Sequence, residues 1–421
     1  MTTGSTPAVQ ITEQPPGPGG IMVLVADKFE QAGLDDLQSR GCRVQFEPDL
    51  IGESLEAAIR QHDPGVLVVR STKVSAAALQ SADHLSLIVR AGAGYDNIDL
   101  VAASAKGIFV ANCPGRNSVA VAELTWALIL ACDRRVPDQT VDLRNRTWNK
   151  KEYTKAPGLY GRTLGVVGLG RIGREVATRG HAFGMKVVAW SRSLTEEKAR
   201  EMGIAYCGNL INLAKVADVV SINVAASPET ERLIGEKFFA ALKPGAYVIN
   251  TSRGSVVDAQ ALTAAIRTKG VRAGLDVYAN EPAGGTGTFE DPIIDEPCVY
   301  GTHHVGASTD QAQRAIWAEV AHIIDTYQTV GMVPNCVNRA SSTAATNLLI
   351  VRHLNHPGVL AHVFYTLGQA GINVEEMENI IYDGAKAACA RIQLDELPQP
   401  EHIAAIRAND DVLSVEVAFL K

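Results

Sequence analysis

The stretch Leu164-Gly-Val-Val-Gly168-Leu-Gly170-Arg171-Ile172-Gly173 joins a predicted strand to a predicted helix. Its first four residues form an apolar run typical of a buried strand, and apolar residues recur at helical spacing from Ile172 onward. The next strand is predicted at Lys186 to Trp190. In such a βαβ unit the first glycine makes the tight turn, the second admits a pyrophosphate, and the third lets helix and strand pack closely. The pattern therefore indicates a dinucleotide site at a helix N-terminus.

The length and composition of the chain limit the class of protein. It has 421 residues, more than one hydrophobic core accommodates, so we expect two or three domains. A net charge of −7 without a basic block argues against a nucleic-acid partner. The longest apolar stretch, residues 119–132, contains Glu123 and is too short to span a bilayer. Seven scattered cysteines without a CxxC pair favour reduced thiols in a cytoplasmic protein and predict no metal site.

Strand and helix patterns alternate from Ile21 to Ala111 and again from Leu164 to Thr302. This alternation predicts an α/β fold with two doubly wound parallel sheets, one flavodoxin-like and one Rossmann-like. A further βαββαβ order near the end of the chain predicts a ferredoxin-like unit. The predicted segments are a disordered tail at 1–20, a discontinuous first domain at 21–116 and 310–332, a nucleotide-binding domain at 117–309, a linker at 333–346 and a C-terminal domain at 347–421.

Three polar motifs follow predicted parallel strands, at the sheet edge where open α/β folds bind ligands. The first contains Arg253, the second Glu281, and the third two histidines, His303 and His304. An arginine can grip a carboxylate with two hydrogen bonds, a histidine can move a proton, and a glutamate can pair with that histidine. Together they predict proton-coupled hydride transfer on a hydroxy acid. The motifs are Asn250 to Asp258, Gly274 to Pro282 and Thr302 to Thr309.

These motifs resemble those of the D-2-hydroxyacid dehydrogenase family, and the resemblance extends over nearly all of Ile21 to Lys421. It implies that Arg253, Glu281 and His304 are catalytic. His303 competes with His304; because neighbours on a strand point to opposite faces, only one can serve, and the register to Gly306-Ala-Ser-Thr selects His304. The residues expected to contact the cofactor are Gly168, Gly170, Arg171, Ile172, Gly173, Ser191, Arg192, Val224, Thr251, Ser252, Asp276, Gly306 and Ala307.

The second strand of the nucleotide-binding domain ends differently from that of NAD-specific family members. Those proteins place an aspartate there, which binds the ribose 2′-OH. This chain has Ser191 followed by Arg192. A hydroxyl and a cation tolerate a 2′-phosphate better than a carboxylate does, so NADP stays open beside NAD, the usual cofactor of the family.

Two polar stretches of the first domain also follow predicted strands, Arg70 to Lys73 and Arg90 to Asn97. Two arginines and a lysine near a glycine turn suit a substrate that carries a phosphate as well as a carboxylate, although Lys73 alone also suits an ordinary surface position. The resemblance implies that Arg70 and Arg90 face the phosphate and that the backbone N–H groups of Gly92 to Gly94 hold the carboxylate. The predicted substrate contacts are Arg70, Ser71, Lys73, Arg90, Gly92, Ala93, Gly94 and Asn97.

With these contacts, the resemblance implies oxidation of 3-phosphoglycerate to 3-phosphohydroxypyruvate, the step that opens serine synthesis. One alternative is a reductase of glyoxylate or hydroxypyruvate on the same fold, which would not need Arg70 and Arg90. An alternative of another class is a nucleotide-sensing corepressor that binds other proteins and does not catalyse. Intact Arg253, Glu281 and His304 count against that last alternative.

The C-terminal domain resembles ACT domains, which bind small amino acids where two copies meet. The matching runs are Val351 to Leu360 and Gly371 to Asn373. The resemblance implies that His353, Asn355 and Asn373 hold L-serine as an inhibitor, in a homodimer or homotetramer whose domains move about the linker. The residues alone also allow Asn355 to cap the following helix and Asn373 to mark a turn.

Overall fold

A computed structural model describes Gly20 to Pro282 and Thr286 to Leu420. The predicted disordered tail lies outside these residues except for Gly20. The chain divides into two compact units, with the boundary between Asn338 and Arg339. Among the described residues, no helix combines the length and the apolar character needed to cross a membrane.

The first unit begins with a parallel sheet of five strands in the order β2-β1-β3-β4-β5, the flavodoxin order. The Val-Leu-Val-Val run of β3 is wholly buried, as expected for a parallel strand covered on both faces. The strands are β1 (Met22–Val25), β2 (Arg43–Phe46), β3 (Val66–Val69), β4 (Leu87–Arg90) and β5 (Phe109–Asn112). The helices between them are α1 (Gln31–Ser39), α2 (Glu53–His62), α3 (Ala76–Gln80) and α4 (Leu100–Ala105).

A second parallel sheet of seven strands has the order β12-β11-β10-β9-β6-β7-β8, which contains the Rossmann order. Its strands are β6 (Thr163–Val167), β7 (Lys186–Trp190), β8 (Ala205–Tyr206), β9 (Val219–Ile222), β10 (Tyr247–Asn250), β11 (Arg272–Leu275) and β12 (Val299–Gly301). Its helices are α5 (Ser118–Arg134), α6 (Val136–Arg144), α7 (Arg171–Ala182), α8 (Glu196–Glu201), α9 (Leu210–Val216), α10 (Glu236–Ala241) and α11 (Ala259–Lys269). Two hydrophobic clusters, one on each face, confirm the doubly wound fold.

The chain then returns to the first sheet through α12 (Asp310–Val330). Its buried side chains, among them Ile316, Val320 and Ile323, share a hydrophobic cluster with α1 and the strands. Helices α2, α3 and α4 cover the opposite face. The first sheet is therefore completed by a helix that lies some two hundred residues later in the sequence.

The segment predicted as a linker at 333–346 is partly built into the first unit. Cys336 forms an antiparallel bridge with Ala111, and the Val337 N–H donates to the Val110 carbonyl at 2.8 Å. The Asn338 side chain accepts the Val110 N–H and donates to the Ile108 carbonyl, both at 2.8 Å. Hydropathy does not reveal this pairing, because polar residues supply it. The predicted linker is therefore too long at its N-terminal end.

The second unit is an antiparallel sheet of four strands in the order β14-β15-β13-β16. Burial alternates along β13 and β15, so one face packs on the helices and the other stays open. This arrangement confirms the predicted βαββαβ order. The elements are β13 (Asn347–Leu354), α13 (Val359–Gln369), β14 (Val374–Ile381), β15 (Ala387–Leu394), α14 (Pro400–Arg407) and β16 (Val412–Phe419).

Candidate active site

The predicted catalytic pair meets on two loops that leave neighbouring strands, β11 and β12. His304 Nδ1 lies 2.7 Å from Glu281 Oε2, and Glu281 Oε1 accepts the Tyr278 N–H at 2.9 Å. Burial raises the pKa of the Glu281 carboxyl, but hydrogen bonds from His304 and Tyr278 outweigh burial and hold that pKa below its ordinary value. Because Glu281 engages Nδ1, Nε2 is the ring nitrogen left to exchange a proton with a substrate.

The choice between His303 and His304 rests on a different feature from the one we expected. Strand β12 ends at Gly301, so the argument from alternating strand faces is wrong for these two residues. His304 instead adopts a left-handed backbone conformation with φ +54°, and its N–H donates to the Asp276 carbonyl at 2.8 Å. This turn aims the His304 ring at Glu281.

Asp276 holds the loop that carries His304. Its carboxylate is buried, and Oδ1 accepts the Thr302 hydroxyl at 2.6 Å and the Val305 N–H at 2.9 Å. Oδ2 accepts the Gly306 N–H at 3.0 Å. Both oxygens are thus bonded within the protein, so Asp276 positions the loop that carries His304. Sequence reasoning missed the partner hydroxyl of Thr302.

The turn that carries Arg253 is organised by Asn250, which sequence reasoning did not single out. The Asn250 amide accepts the Ser252 hydroxyl at 2.8 Å and donates to the Arg253 carbonyl at 2.9 Å. The Thr251 hydroxyl lies 2.9 Å from that of Thr125 on α5. The hydroxyls of Ser252 and Thr251 therefore each have a partner within the protein.

Arg253 bonds to the Asp96 carboxylate through Nε at 3.1 Å and Nη2 at 3.0 Å. Its Nη1 donates to the Ser252 carbonyl at 2.8 Å. One N–H on each terminal nitrogen is left, and this pair can bind a carboxylate end-on. Burial raises the pKa of Asp96, but the bonds from Arg253 outweigh it and lower that pKa. Asp96, which was not predicted, therefore orients Arg253, the arginine predicted to bind the substrate.

Arg70, Arg90 and Arg253 form a cluster of guanidinium groups. Burial, followed by the charges of Arg253 and Arg70, lowers the pKa of Arg90 to about 10. The Arg90 Nε is buried and has no hydrogen-bond partner among the described residues. Burial also lowers the pKa of Arg70. The charge of Asp96 offsets part of this effect, and a desolvated cluster of like charges with an unpaired donor can accommodate a further anion.

The remaining predicted substrate contacts fall into two groups. Ser71 and Lys73 are exposed, whereas Asn97 joins the two substrate loops by donating to the Thr72 carbonyl at 2.7 Å. Asn112, which was not predicted, donates to the Ala93 carbonyl at 2.6 Å and so holds the turn from Gly92 to Gly94. A cavity of about 300 Å³ opens beside Arg70 and is also lined by Lys28, Ser308 and Gln313.

The glycine turn after β6 has the geometry that a pyrophosphate requires. Gly168 has φ +90°, and a Cβ on Gly173 would lie 2.1 Å from the Gly168 carbonyl oxygen. A Cβ on Gly170 would meet nothing within 4 Å, so that face of the turn is open to a ligand. These positions fit a bound dinucleotide. The Arg171 guanidinium, on the first residue of α7, bonds to the Pro114 carbonyl.

The other predicted cofactor residues surround the same turn. Val224 lies against Gly168, and Ile172 is half-buried in the first turn of α7. Ser191 is half-buried and Arg192 exposed at the end of β7. The Ala307 carbonyl accepts the Gln313 amide at 2.9 Å.

Comparison with known proteins matches this geometry. Residues 126–306 match the family described as "D-isomer specific 2-hydroxyacid dehydrogenase, NAD binding domain". The TT0316 protein from Thermus thermophilus is 34% identical, with a TM-score of 0.67, over 75% of this chain and 100% of that one. This chain belongs to the D-isomer specific 2-hydroxyacid dehydrogenase family. D-lactate dehydrogenase from Aquifex aeolicus, solved with NAD and lactic acid, is 28% identical, with a TM-score of 0.66, over 76% of this chain and 100% of that chain.

A D-3-phosphoglycerate dehydrogenase from Methanocaldococcus jannaschii is 38% identical over 320 residues, which are 76% of this chain and 59% of that protein. This chain spans less than two thirds of the length of such curated relatives. The family and its NAD-binding domain are thus as predicted, and the glycine turn belongs to that domain.

We expect His304→Ala to lower kcat for a D-2-hydroxy acid by a factor of about 10²–10⁴, the usual contribution of a positioned acid–base group. The affinity for NADH should stay near wild type, because the glycine turn and not the histidine holds the dinucleotide. Steady-state kinetics and a fluorescence titration with NADH measure the two effects. His303→Ala is the matched control and should keep wild-type turnover. Near wild-type turnover in His304→Ala, with loss in His303→Ala, would reverse the assignment.

Proposed function

We propose that this protein oxidises 3-phosphoglycerate at C2 to 3-phosphohydroxypyruvate, with NAD as hydride acceptor. The observation that carries the proposal is the cluster of Arg70, Arg90 and Arg253, in which the buried Arg90 Nε has no partner among the described residues. A substrate carboxylate needs only Arg253, so a second anionic group is required to engage the other two. Curated relatives at 35–38% identity are named D-3-phosphoglycerate dehydrogenase, which supports a phosphate as that group.

In the proposed reaction each side chain of the candidate site has a separate role. Arg253, oriented by Asp96, holds the substrate carboxylate, and Arg70 and Arg90 hold the phosphate. His304 Nε2 accepts the proton of the C2 hydroxyl, and the Glu281 carboxylate stabilises the imidazolium that forms. When bound, the nicotinamide supplies the acceptor carbon for the hydride that leaves C2. The C2 alcohol thus loses a proton to His304 and a hydride to the nicotinamide, and it becomes the ketone of the product.

The alternatives make different demands on these residues. A reductase of glyoxylate or hydroxypyruvate has no phosphate to bind, so it would leave Arg90 without an anion. A nucleotide-sensing corepressor needs no proton-transfer pair, so the bond between His304 and Glu281 would serve no purpose there. Both features favour the phosphoglycerate reaction. We also place the enzyme in the cytoplasm, on the prediction from its cysteines.

Arg90→Ala tests the phosphate assignment. We expect kcat/KM for 3-phosphoglycerate to fall by about 10- to 100-fold, the loss typical of a charge-assisted hydrogen bond. The change for D-glycerate, which lacks the phosphate, should be small. Steady-state kinetics with both substrates measure this difference. Arg60→Ala, an exposed arginine on α2, is the control and should behave as wild type.

Wild-type results also separate the alternatives. Reduction of glyoxylate without turnover of 3-phosphoglycerate would identify the reductase. Binding of NADH without turnover of any of these acids would favour the corepressor.

We further propose that NADP is used measurably, because Ser191 and Arg192 stand where a carboxylate would exclude the 2′-phosphate. NAD, the usual cofactor of the family, should remain the better cofactor.

Ser191→Asp should lower kcat/KM for NADP at least about tenfold relative to NAD, because the new carboxylate repels the 2′-phosphate and accepts the ribose 2′-OH. Initial rates at varied NAD and NADP concentrations give the ratio. Ser193→Asp adds the same charge two residues later and should leave the ratio unchanged. A wild-type enzyme with no NADP turnover would show that the neighbouring loops, not this pair, decide selectivity.

We also propose that L-serine binds between two copies of the C-terminal unit. His353 and Ile381 both align with Ala388, whereas Val374, next to Asn373, aligns with Leu394 at the other end of the sheet. About seven residues, or roughly 20 Å, therefore separate His353 from Asn373 within one chain. One serine cannot contact both, so a site with His353, Asn355 and Asn373 needs a second copy.

The edge strand β14 gives the pairing that would build this site. It has one strand neighbour, β15, and exposes apolar side chains such as Ile380 and Ile381. Two β14 strands that pair antiparallel would bring Asn373 of one copy beside the His353 end of the other. Because residues 336–338 are paired to β5, the proposed hinge for inhibition is confined to residues 339–346.

Subunit mixing tests the shared site. Asn355→Ala and Asn373→Ala should each abolish L-serine binding measured by calorimetry. After the two variants are unfolded and refolded together, random pairing should restore about a quarter of the wild-type sites, since each mixed dimer contains one intact site. Asn409→Ala is the control and should bind normally. No recovery on mixing would place the site within one chain, and no binding to wild type at millimolar serine would end the proposal.

A further inference from the structure

Asp27 follows β1, and the turn Arg70-Ser71-Thr72 follows β3, its neighbour in the sheet. Asp27 Oδ2 accepts three consecutive backbone N–H groups of this turn, from Arg70 at 2.6 Å and from Ser71 and Thr72 at 3.1 Å each. Successive N–H groups that converge in this way form a concavity that binds anions. Here the bound anion is a carboxylate of the chain itself.

This internal carboxylate changes how the turn can serve a substrate. Its three N–H groups are already engaged, so the turn cannot offer them to a phosphate. The Arg70 side chain is the group that remains, and its Nη1 donates to Gln313 Oε1 at 3.0 Å. Gln313 in turn donates to the Ala307 carbonyl on the loop that carries His304. Arg70 is therefore fixed at its backbone by Asp27 and at its guanidinium by α12.

The same turn also supports the neighbouring substrate loop. The Thr72 carbonyl accepts the Asn97 amide at 2.7 Å, and the Asn97 carbonyl accepts the Val74 N–H at 2.8 Å. The Thr72 hydroxyl donates to the Leu50 carbonyl at 3.1 Å. A displacement of the turn would therefore move Arg70 and the loop from Arg90 to Asn97 together.

The charge of Asp27 also supports Arg70 as a group that binds an anion. Burial lowers the pKa of Arg70, and the Asp27 charge opposes that shift. Asp27 thus favours the charged guanidinium, without forming an ion pair that would occupy it. The nitrogen atoms of Arg70 that do not bond to Gln313 stay available to an anion.

We propose that Asp27 is a positioning residue, an internal carboxylate that fills the N–H concavity of Arg70 to Thr72 and sets the Arg70 guanidinium for the phosphate of the substrate. The inference rests on the proposed function. It assigns the phosphate to side-chain donors and the backbone N–H groups of this turn to Asp27.

Chemical rescue of Asp27→Ala tests this role. We expect KM for 3-phosphoglycerate to rise at least about tenfold while kcat changes little, and the kinetics with D-glycerate to stay near wild type. Added formate should restore KM, because it can occupy the vacated concavity. Formate should not rescue Arg70→Ala, in which the side chain that binds phosphate is missing. Asp35→Asn, an exposed acid on α1, removes the same charge elsewhere and should behave as wild type.

A binding measurement keeps this test independent of turnover. Calorimetry with inorganic phosphate on the full chain should give a Kd raised at least about tenfold in Asp27→Ala and lowered again by formate. If wild type does not turn over 3-phosphoglycerate, the proposed function fails, while the phosphate titration still decides the role of Asp27. Asp27→Asn keeps an acceptor oxygen and serves if Asp27→Ala does not fold. Unchanged phosphate affinity in both variants, or equal losses with both substrates and no rescue, would overturn the inference.

Discussion

The loop that carries His304 depends on its hydrogen bonds to the buried carboxylate of Asp276. It receives a hydroxyl from Thr302 and backbone N–H groups from Val305 and Gly306, and its own carbonyl accepts the His304 N–H. A buried charge is tolerated only when such donors satisfy it, so the loop has one arrangement that does not leave Asp276 unpaired. The left-handed conformation of His304 follows from that arrangement, and so does its contact with Glu281.

The same physical device recurs at other loops around the site. Loops after parallel strands carry backbone N–H groups that the sheet does not pair, and buried backbone donors need acceptors. Asp27 accepts three such groups after β3, Asn250 accepts one after β10, and Asp276 accepts two after β12. Each loop is thus fixed by one polar side chain, which follows a neighbouring strand in the case of Asp27 and Asp276 and ends the same strand in the case of Asn250. Because these three side chains hold the loop backbones, the neighbouring Arg70, Arg253 and His304 side chains do not have to.

Local patterns in the sequence were sufficient for the strands and the glycine turn, because each is encoded over a few consecutive residues. They were not sufficient for the pairing of Asp96 with Arg253, because these residues lie 157 positions apart and leave no periodic signal. Helix α6 was missed because it buries none of its described side chains and so has no apolar face to detect. The error about strand faces at His303 arose because β12 is only three residues long.

Both sheets of the first unit contribute to the arginine cluster, and this division bears on selectivity. Arg70 and Arg90 come from the first sheet and Arg253 from the second. Gathering partly desolvated cations is unfavourable unless an anion compensates, and a buried donor without a partner adds to the cost. Asp96 offsets part of this charge, and a ligand with two anionic groups would offset more of it than a ligand with only a carboxylate. Sites that penalise the analogue lacking a group discriminate more sharply than sites that merely accommodate it. On the proposed function, the site discriminates against analogues without a phosphate because their binding would leave the arginine cluster without its second anionic partner.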